Sequence, residues 1–329
     1  MSMSGLSLRR LGSSDLMISP IGLGCWQFSK GKGMTGRYWS ALSDEQITEI
    51  VDCSIKGGIN WFDSAEAYGG GESERALARA LRNLNHNPTD FIIATKWWPI
   101  LRSAGSIPRT IDDRLRNLDV SRIDLYQIHL PFSFSSTRSE MRAMAKLIET
   151  KKIRYVGLSN YSARSMRQAF DELSKFGTVL ASNQVEFNLL NRSIETNGVL
   201  QTAKELGTSI IAYSPLAQGL LTGKYHEQPD LIRNVRSFRR IYTSFNRRKI
   251  EQCRPIINLL TEIATKYGVT RSQVAINWVL TVHGDMIVTI PGASNPNQAC
   301  ENLGAMQFRL SEQDIEKLDR ISKEYKASH

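Results

Sequence analysis

The sequence predicts an α/β protein, a single (β/α)8 barrel spanning residues 1–329. Three observations carry that expectation. From about residue 21 to residue 305, short apolar runs alternate with amphipathic stretches, the order of strand and helix that builds a parallel sheet. No low-complexity linker or sharp change of composition interrupts the alternation. Polar residues of several kinds then cluster where the apolar runs end, which is where a barrel keeps its chemistry.

In chain order, residues 6–18 hold two short apolar runs around turn residues 12–15, the pattern of a hairpin that closes one end of a barrel. Eight strands are expected at residues 21–24, 60–63, 91–95, 123–128, 155–158, 181–185, 209–213 and 286–290. Between them, Ser43 with Gln46 and Thr270 with Gln273 read as capping boxes, and Asn295 caps ahead of Pro296 at a first helical position. Leu77, Leu81 and Leu84, and likewise Ile111, Leu115 and Leu118, recur at helical spacing and predict faces packed on the sheet. Residues 216–267 are too long for a plain connection, so an extra helix beside the active site is expected there, with another at the C-terminus. Gly31-Lys-Gly33-Met-Thr-Gly36 spells G-x-G-x-x-G, but it follows no βα turn and lacks the acidic partner, and it reads as a loop after strand one.

Apolar residues make up 41% of the chain and charged ones 22%, the balance of a globular protein with a sizeable core. Residues 1–10 lack the apolar run of a signal peptide and no stretch has the length of a membrane span, so a cytoplasmic protein without membrane contact is expected. Cys25, Cys53, Cys253 and Cys300 are scattered, and neither a disulfide framework nor a metal site is expected. Much of the net charge of +10 lies between Arg233 and Arg254. A solvated face or a nearby phosphate-bearing ligand accounts for it; without a recognition motif, nucleic-acid binding is not expected.

The strand ends supply the chemistry. Asp63 ends strand two with Tyr68 five residues on, Lys96 follows strand three and His129 follows strand four. Each has a plain alternative: a capping acid, a packed phenol, a surface lysine, a satisfied core imidazole. Together at one mouth they are costly to desolvate, which favours catalysis. Lys96 would lower the phenol pKa, Asp63 would hold Lys96, and His129 would donate a hydrogen bond to a carbonyl oxygen. No serine elbow or metal set accompanies them, so proton donation to a carbonyl with a hydride from a cofactor fits better than hydrolysis.

At these residues the chain resembles the aldo-keto reductase superfamily, in the stretch from Gly58 through Asp63 to Tyr68-Gly69 and in Ile123-Asp-Leu-Tyr-Gln-Ile-His129. The resemblance implies a TIM-type barrel, an NADP(H)-dependent oxidoreductase acting on a small-molecule carbonyl, and a catalytic tetrad of Asp63, Tyr68, Lys96 and His129. It also implies that Ser159, Asn160 and Gln184 hold the nicotinamide amide and that Tyr213 stacks on its ring. Ser214, Pro215, Leu216, Gln218, Gly219 and Lys224 match a pyrophosphate-covering loop, and Gly292, Ser294, Gln298, Glu301 and Asn302 an adenosine-binding segment. Many NADPH-specific members carry a basic residue in that segment where this chain has Gly292, Ala293, Ser294 and Gln298, so NAD(H) stays open. The segment is similar to that of potassium-channel β-subunits, in which a loop lysine and arginine meet the phosphate; Lys224 with Arg233, Arg236 or Arg239 would serve here, and a nicotinamide-binding regulatory subunit is the alternative function. Trp26, Trp97 and Phe132, with Trp98, Phe134 and Tyr161, are expected to wall an apolar substrate pocket. Tyr225 and the basic stretch would reach an acidic substrate.

Overall fold

The computed structural model describes residues 6–234 and 247–325. Strands β1 (Arg9–Arg10) and β2 (Met17–Ile18) pair antiparallel as the expected hairpin. Its turn places Leu11, Leu16 and Ile18 against Trp61, Ala94, Leu125, Ala181, Ile211 and Val288, the apolar floor of the barrel. Gly12 donates its N–H to Ser209 Oγ at 2.7 Å and locks the plug to the wall.

The repeat then runs β3 (Leu23–Gly24), α1 (Asp44–Lys56), β4 (Trp61–Asp63), α2 (Glu72–Asn83), β5 (Ile92–Trp97), α3 (Ile107–Leu118), β6 (Ile123–Ile128), α4 (Thr137–Glu149), β7 (Ile153–Ser159), α5 (Ala163–Ser174), β8 (Leu180–Glu186), α6 (Val199–Leu206) and β9 (Ser209–Tyr213). After a 3-10 segment, Ala217–Thr222, come α7 (Arg247–Tyr267), α8 (Arg271–Thr281), β10 (Ile287–Thr289), α9 (Pro296–Leu303) and α10 (Glu312–Glu324). Here α7 and α10 are the two extra helices, and Gly33–Gly36 forms one helical turn in the loop after β3.

Eight parallel strands lie in the order β10-β9-β8-β7-β6-β5-β4-β3. Closure between β3 and β10 is short, resting on the bridges Ile21–Thr289 and Gly24–Gly292, with the Gly22 N–H donating to Thr289 O at 2.8 Å, the Gly24 N–H to Pro291 O at 3.2 Å and the Thr289 N–H to Pro20 O at 3.0 Å. The capping boxes at Ser43 and Thr270 form, and the Asn295 side chain accepts from the Gln298 N–H.

Residues alternate along each strand between barrel interior and helix layer. Trp61 and Asp63 face in, while Phe62 joins the outer core with Ile128 and Trp97. Trp97 corrects an expectation. The strand expected to stop at residue 95 continues to Trp97, and because Lys96 faces inward its neighbour must face the helices. There the indole is wholly buried and donates to Ser106 Oγ at 3.1 Å. Tyr161 is likewise buried, donating to Glu140 Oε2 at 2.7 Å, and Tyr225 lies in the outer core rather than at a substrate face.

The cysteines bring a second correction. Cys53 on α1 and Cys300 on α9 form a disulfide with a Cα–Cα separation of 5.8 Å, while Cys25 and Cys253 are buried free thiols. The partners stand 247 residues apart, so no local spacing signals the pair. Among the described residues no helix is long and apolar enough to cross a membrane, and no group of three His, Cys, Asp or Glu side chains is placed to hold a metal.

Candidate active site

At the C-terminal mouth of the barrel, the inward positions of adjacent strands become polar. Lys96 is completely buried, and its ammonium donates to Asp63 Oδ1, to the Ser64 carbonyl at 2.9 Å and to the Tyr68 hydroxyl at 3.4 Å. Burial opposes that charge, but Asp63 and then Tyr68 more than offset it and hold the lysine above its ordinary pKa. Asp63 is well satisfied, because Oδ2 also accepts from Gln127 at 2.8 Å and from Gln184 at 3.0 Å.

Tyr68 lies in the turn between β4 and α2, its ring stacked on Trp26 at 5.7 Å and set edge-on to His129 at 5.5 Å. Its pKa is raised rather than lowered: burial dominates, and the pull of Lys96 offsets only part of it. A phenol held protonated is a donor. Burial, then the charge of Lys96, pushes His129 well below the usual imidazole range and keeps it neutral. Its Nδ1 is buried without a hydrogen-bond partner, a polar atom whose desolvation is uncompensated in the protein alone.

A groove of about 1970 Å³ opens over these side chains. Asp63, Tyr68 and His129 line it together with all fifteen expected cofactor positions, from Ser159, Asn160 and Gln184 through Tyr213–Gly219 and Lys224 to Gly292, Ser294, Gln298, Glu301 and Asn302. Lys96 lies beneath it. Two features fit a dinucleotide. Asn160 takes a left-handed φ of 61° and is braced by Tyr213, whose hydroxyl donates to Asn160 Oδ1 at 3.0 Å. Ser214, Ala217 and Gln218 also have φ between 47° and 60°, backbone strain concentrated in one loop of the groove wall.

Trp26 and Phe132 line the same groove, Phe132 at the rim with 66% of its surface exposed. Trp98 does so where Trp97 does not, its ring 5.4 Å from His129, whereas Phe134 stands exposed outside it. Sequence reasoning missed Tyr38, stacked on Trp26 at 4.6 Å, and Trp39 beside it, although an aromatic pair in the loop after strand one was visible. It also missed Gln127, legible as the inward position two residues before His129. The third omission is Arg271, the first residue of α8, which lines the groove and pairs with Glu227. Of the loop arginines expected to meet a phosphate, Arg233 belongs to the 3-10 turn Pro229–Asn234, and Arg236 and Arg239 lie outside the described residues.

The comparisons with known proteins agree with this geometry. The family model described as "Aldo/keto reductase family" matches residues 20–323. A pyridoxal reductase of Arabidopsis thaliana chloroplasts is 30% identical over 330 residues, covering 96% of this chain and 86% of the relative. The solved glycerol dehydrogenase of Gluconobacter oxydans superposes with a TM-score of 0.77 at 25% identity, over 97% of this chain and 96% of the other. An aldo-keto reductase of Klebsiella pneumoniae, solved in complex with NADPH, has a TM-score of 0.73 at 23% identity over 97% and 96% of the two chains, a likeness of fold alone. With the family model spanning the whole strand repeat and its polar mouth, this chain belongs to the aldo/keto reductase family and is an oxidoreductase.

Proposed function

We propose that this protein is a cytoplasmic NADP(H)-dependent reductase that converts aldehydes or ketones to alcohols, with Tyr68 as the proton donor. The observation that carries the reading is the Asp63–Lys96–Tyr68 chain beneath a groove large enough for a dinucleotide and a substrate. Reduced nicotinamide, when bound, supplies the hydride. Asn160, Tyr213 and Ser159 would hold its ring, and the strained loop from Ser214 to Gly219, with Lys224, its phosphates.

As negative charge grows on the carbonyl oxygen, the Tyr68 hydroxyl gives up its proton beside an ammonium already in place, so the nascent phenolate meets a fixed charge without solvent rearrangement. Lys96 keeps its proton throughout because Asp63 accepts from it. Neutral His129 has one N–H to give, and it serves as a hydrogen-bond donor to the same oxygen. Trp26, Trp98, Tyr38 and Phe132 exclude water and favour a carbonyl joined to a planar or apolar group.

NADPH is favoured over NADH by cations that line the groove, among them Lys224 and Arg271, the latter next to Thr270, which bonds Glu301. Gln298 does not replace them, since its Oε1 accepts from the Ser294 N–H at 2.9 Å.

The test mixes protein, NADPH and 4-nitrobenzaldehyde and follows cofactor oxidation beside Tyr68→Phe. Loss of about 100-fold or more in kcat with NADPH binding retained is the expected result, the size of a general-acid contribution. Turnover surviving in the variant would remove Tyr68 from the role. Tight NADPH binding without turnover in the parent would point to a regulatory subunit instead.

A further inference from the structure

We infer that the Cys53–Cys300 pair is a thiol–disulfide couple that controls how firmly the chain grips the adenosine end of its dinucleotide. This rests on the reading of Gln298, Glu301 and Asn302 as the adenosine wall.

Those three residues and Cys300 share one helix. α9 has only eight residues, too short to persist without tertiary contacts, so its position is set by what it packs on. It packs chiefly on α1. At Gly57, just past the end of α1, an added Cβ would come within 2.1 Å of Leu303 Cδ1, so the helices touch closely at that point. The disulfide ties them again one turn earlier on each helix, at Cys53 and Cys300.

The tie spans the seam at which the barrel closes. β3 and β10 meet through isolated bridges, so α1 and α9 flank the seam with little sheet between them to fix their relative position. A covalent bond across a sequence separation of 247 residues therefore restrains the end of the groove formed by the last barrel unit. Its effect reaches the ligand through neighbours of Cys300: the Thr270 hydroxyl donates to Glu301 Oε1 at 2.7 Å, and Gln273 Nε2 donates to the Glu301 carbonyl at 2.9 Å. α9 thus links the seam to the start of α8, where Arg271 lies.

The chemistry is accessible. Cys300 is exposed and Cys53 half-buried, whereas Cys25 and Cys253 are buried and paired with nothing covalent. A dithiol reductant attacks Cys300 Sγ through its thiolate, and Cys53 leaves as a thiolate that takes up a proton. The second reductant thiol then breaks the mixed disulfide, freeing Cys300 and closing the reductant's own disulfide. Two electrons and two protons pass to the protein, and the reverse oxidation needs a disulfide such as oxidised glutathione. In a reducing compartment, a disulfide that forms and breaks in this way is of the sensing rather than the structural kind.

With the tie cut, α9 samples positions in which its polar residues no longer meet the ligand, and the apparent Kd rises by the inverse of the competent fraction. A fall of that fraction to about one fifth gives a fivefold weakening.

The experiment titrates NADPH by quenching of tryptophan fluorescence into protein equilibrated with oxidised glutathione or with dithiothreitol, alongside C53S and C300S, and records amide exchange over residues 296–303. The expected result is binding about fivefold tighter in the oxidised parent. Both variants should sit at the reduced value in either medium, and residues 296–303 should exchange faster in the reduced parent. Equal affinities in the two media, or peptide maps showing both cysteines free in oxidised glutathione, overturn the inference without relying on either variant. Absence of NADPH binding in both media defeats the cofactor reading alone; exchange over residues 296–303 still decides the couple, and a rate indifferent to redox state overturns it.

Discussion

Buried between Asp63, the Ser64 carbonyl and the Tyr68 hydroxyl, the Lys96 ammonium has all three of its donors used. That arrangement explains how a charge survives without water; the phenol beside it stays protonated because burial outweighs the pull of the ammonium. Arg271 is a second residue whose surroundings define its work. It lies against Gly223, pairs with Glu227 and keeps 23% of its side chain exposed toward the groove and solvent. Arg271→Leu is expected to weaken NADPH binding about tenfold, the value of one charge-assisted contact, while leaving NADH within twofold. Equal losses for both cofactors in a calorimetric titration would remove it from 2′-phosphate recognition. Glu74 on α2 gives a pH signature distinct from the site. Burial pushes its carboxyl up to about 7, despite Arg114 at 3.0 Å and hydrogen bonds from Thr95 and Asn117. The folded protein then holds a proton that the unfolded chain releases near its ordinary pKa. Stability from that proton is full below about 4.5 and is lost as pH rises through about 7. Between pH 4.5 and 8, the parent should lose on the order of 3 kcal/mol relative to Glu74→Gln, read by urea unfolding. Parallel stability curves for the two proteins would contradict it.

Among the elements, the hairpin formed by β1 and β2 sets the lower limit of the barrel as the polar mouth sets the upper. Its turn demands glycine at residue 12, which has a φ of +56° and sits so close to the wall that a Cβ would lie 2.4 Å from the Ala181 carbonyl oxygen. Gly12→Ala is therefore expected to cost about 2 kcal/mol or more, since strain and overlap act together. A melting temperature equal to the parent's would show that the hairpin gives way cheaply. The loop after β9 shows strain put to use. Ser214, Ala217 and Gln218 hold left-handed backbones that non-glycine residues avoid, and they do so in the loop proposed to cover a dinucleotide's phosphates. Helix starts were legible because a capping box is a local bargain between side chain and backbone, complete within four residues. Strand ends were less so, and the two residues missing from the end of the third expected strand, 91–95, observed as β5, turned Trp97 from an outer-core residue into a false pocket wall.

For the molecule as a whole, the expected ligand should register as stability. NADPH at a hundredfold excess over its Kd should add about 2.7 kcal/mol to unfolding at 25 °C, and NADH at the same concentration less. A melting temperature unmoved by either would count against the dinucleotide reading. The sequence by itself determined the barrel, its eight strands, the extra helices and the residues gathered at the mouth. Each of these follows from patterns that close over a few residues: alternation, periodicity, caps, and a polar residue where an apolar run ends. Tertiary structure alone decided the rest. Gln127 reaches Asp63 because three strands curl around one axis, Arg271 faces the groove because α8 begins beside it, and the Tyr68 phenol is raised because burial outweighs its lysine. Cys53 and Cys300 meet because closing a barrel brings its first and last helices together. Distances between residues far apart in sequence, and the loss of water around them, arise only when the chain closes on itself.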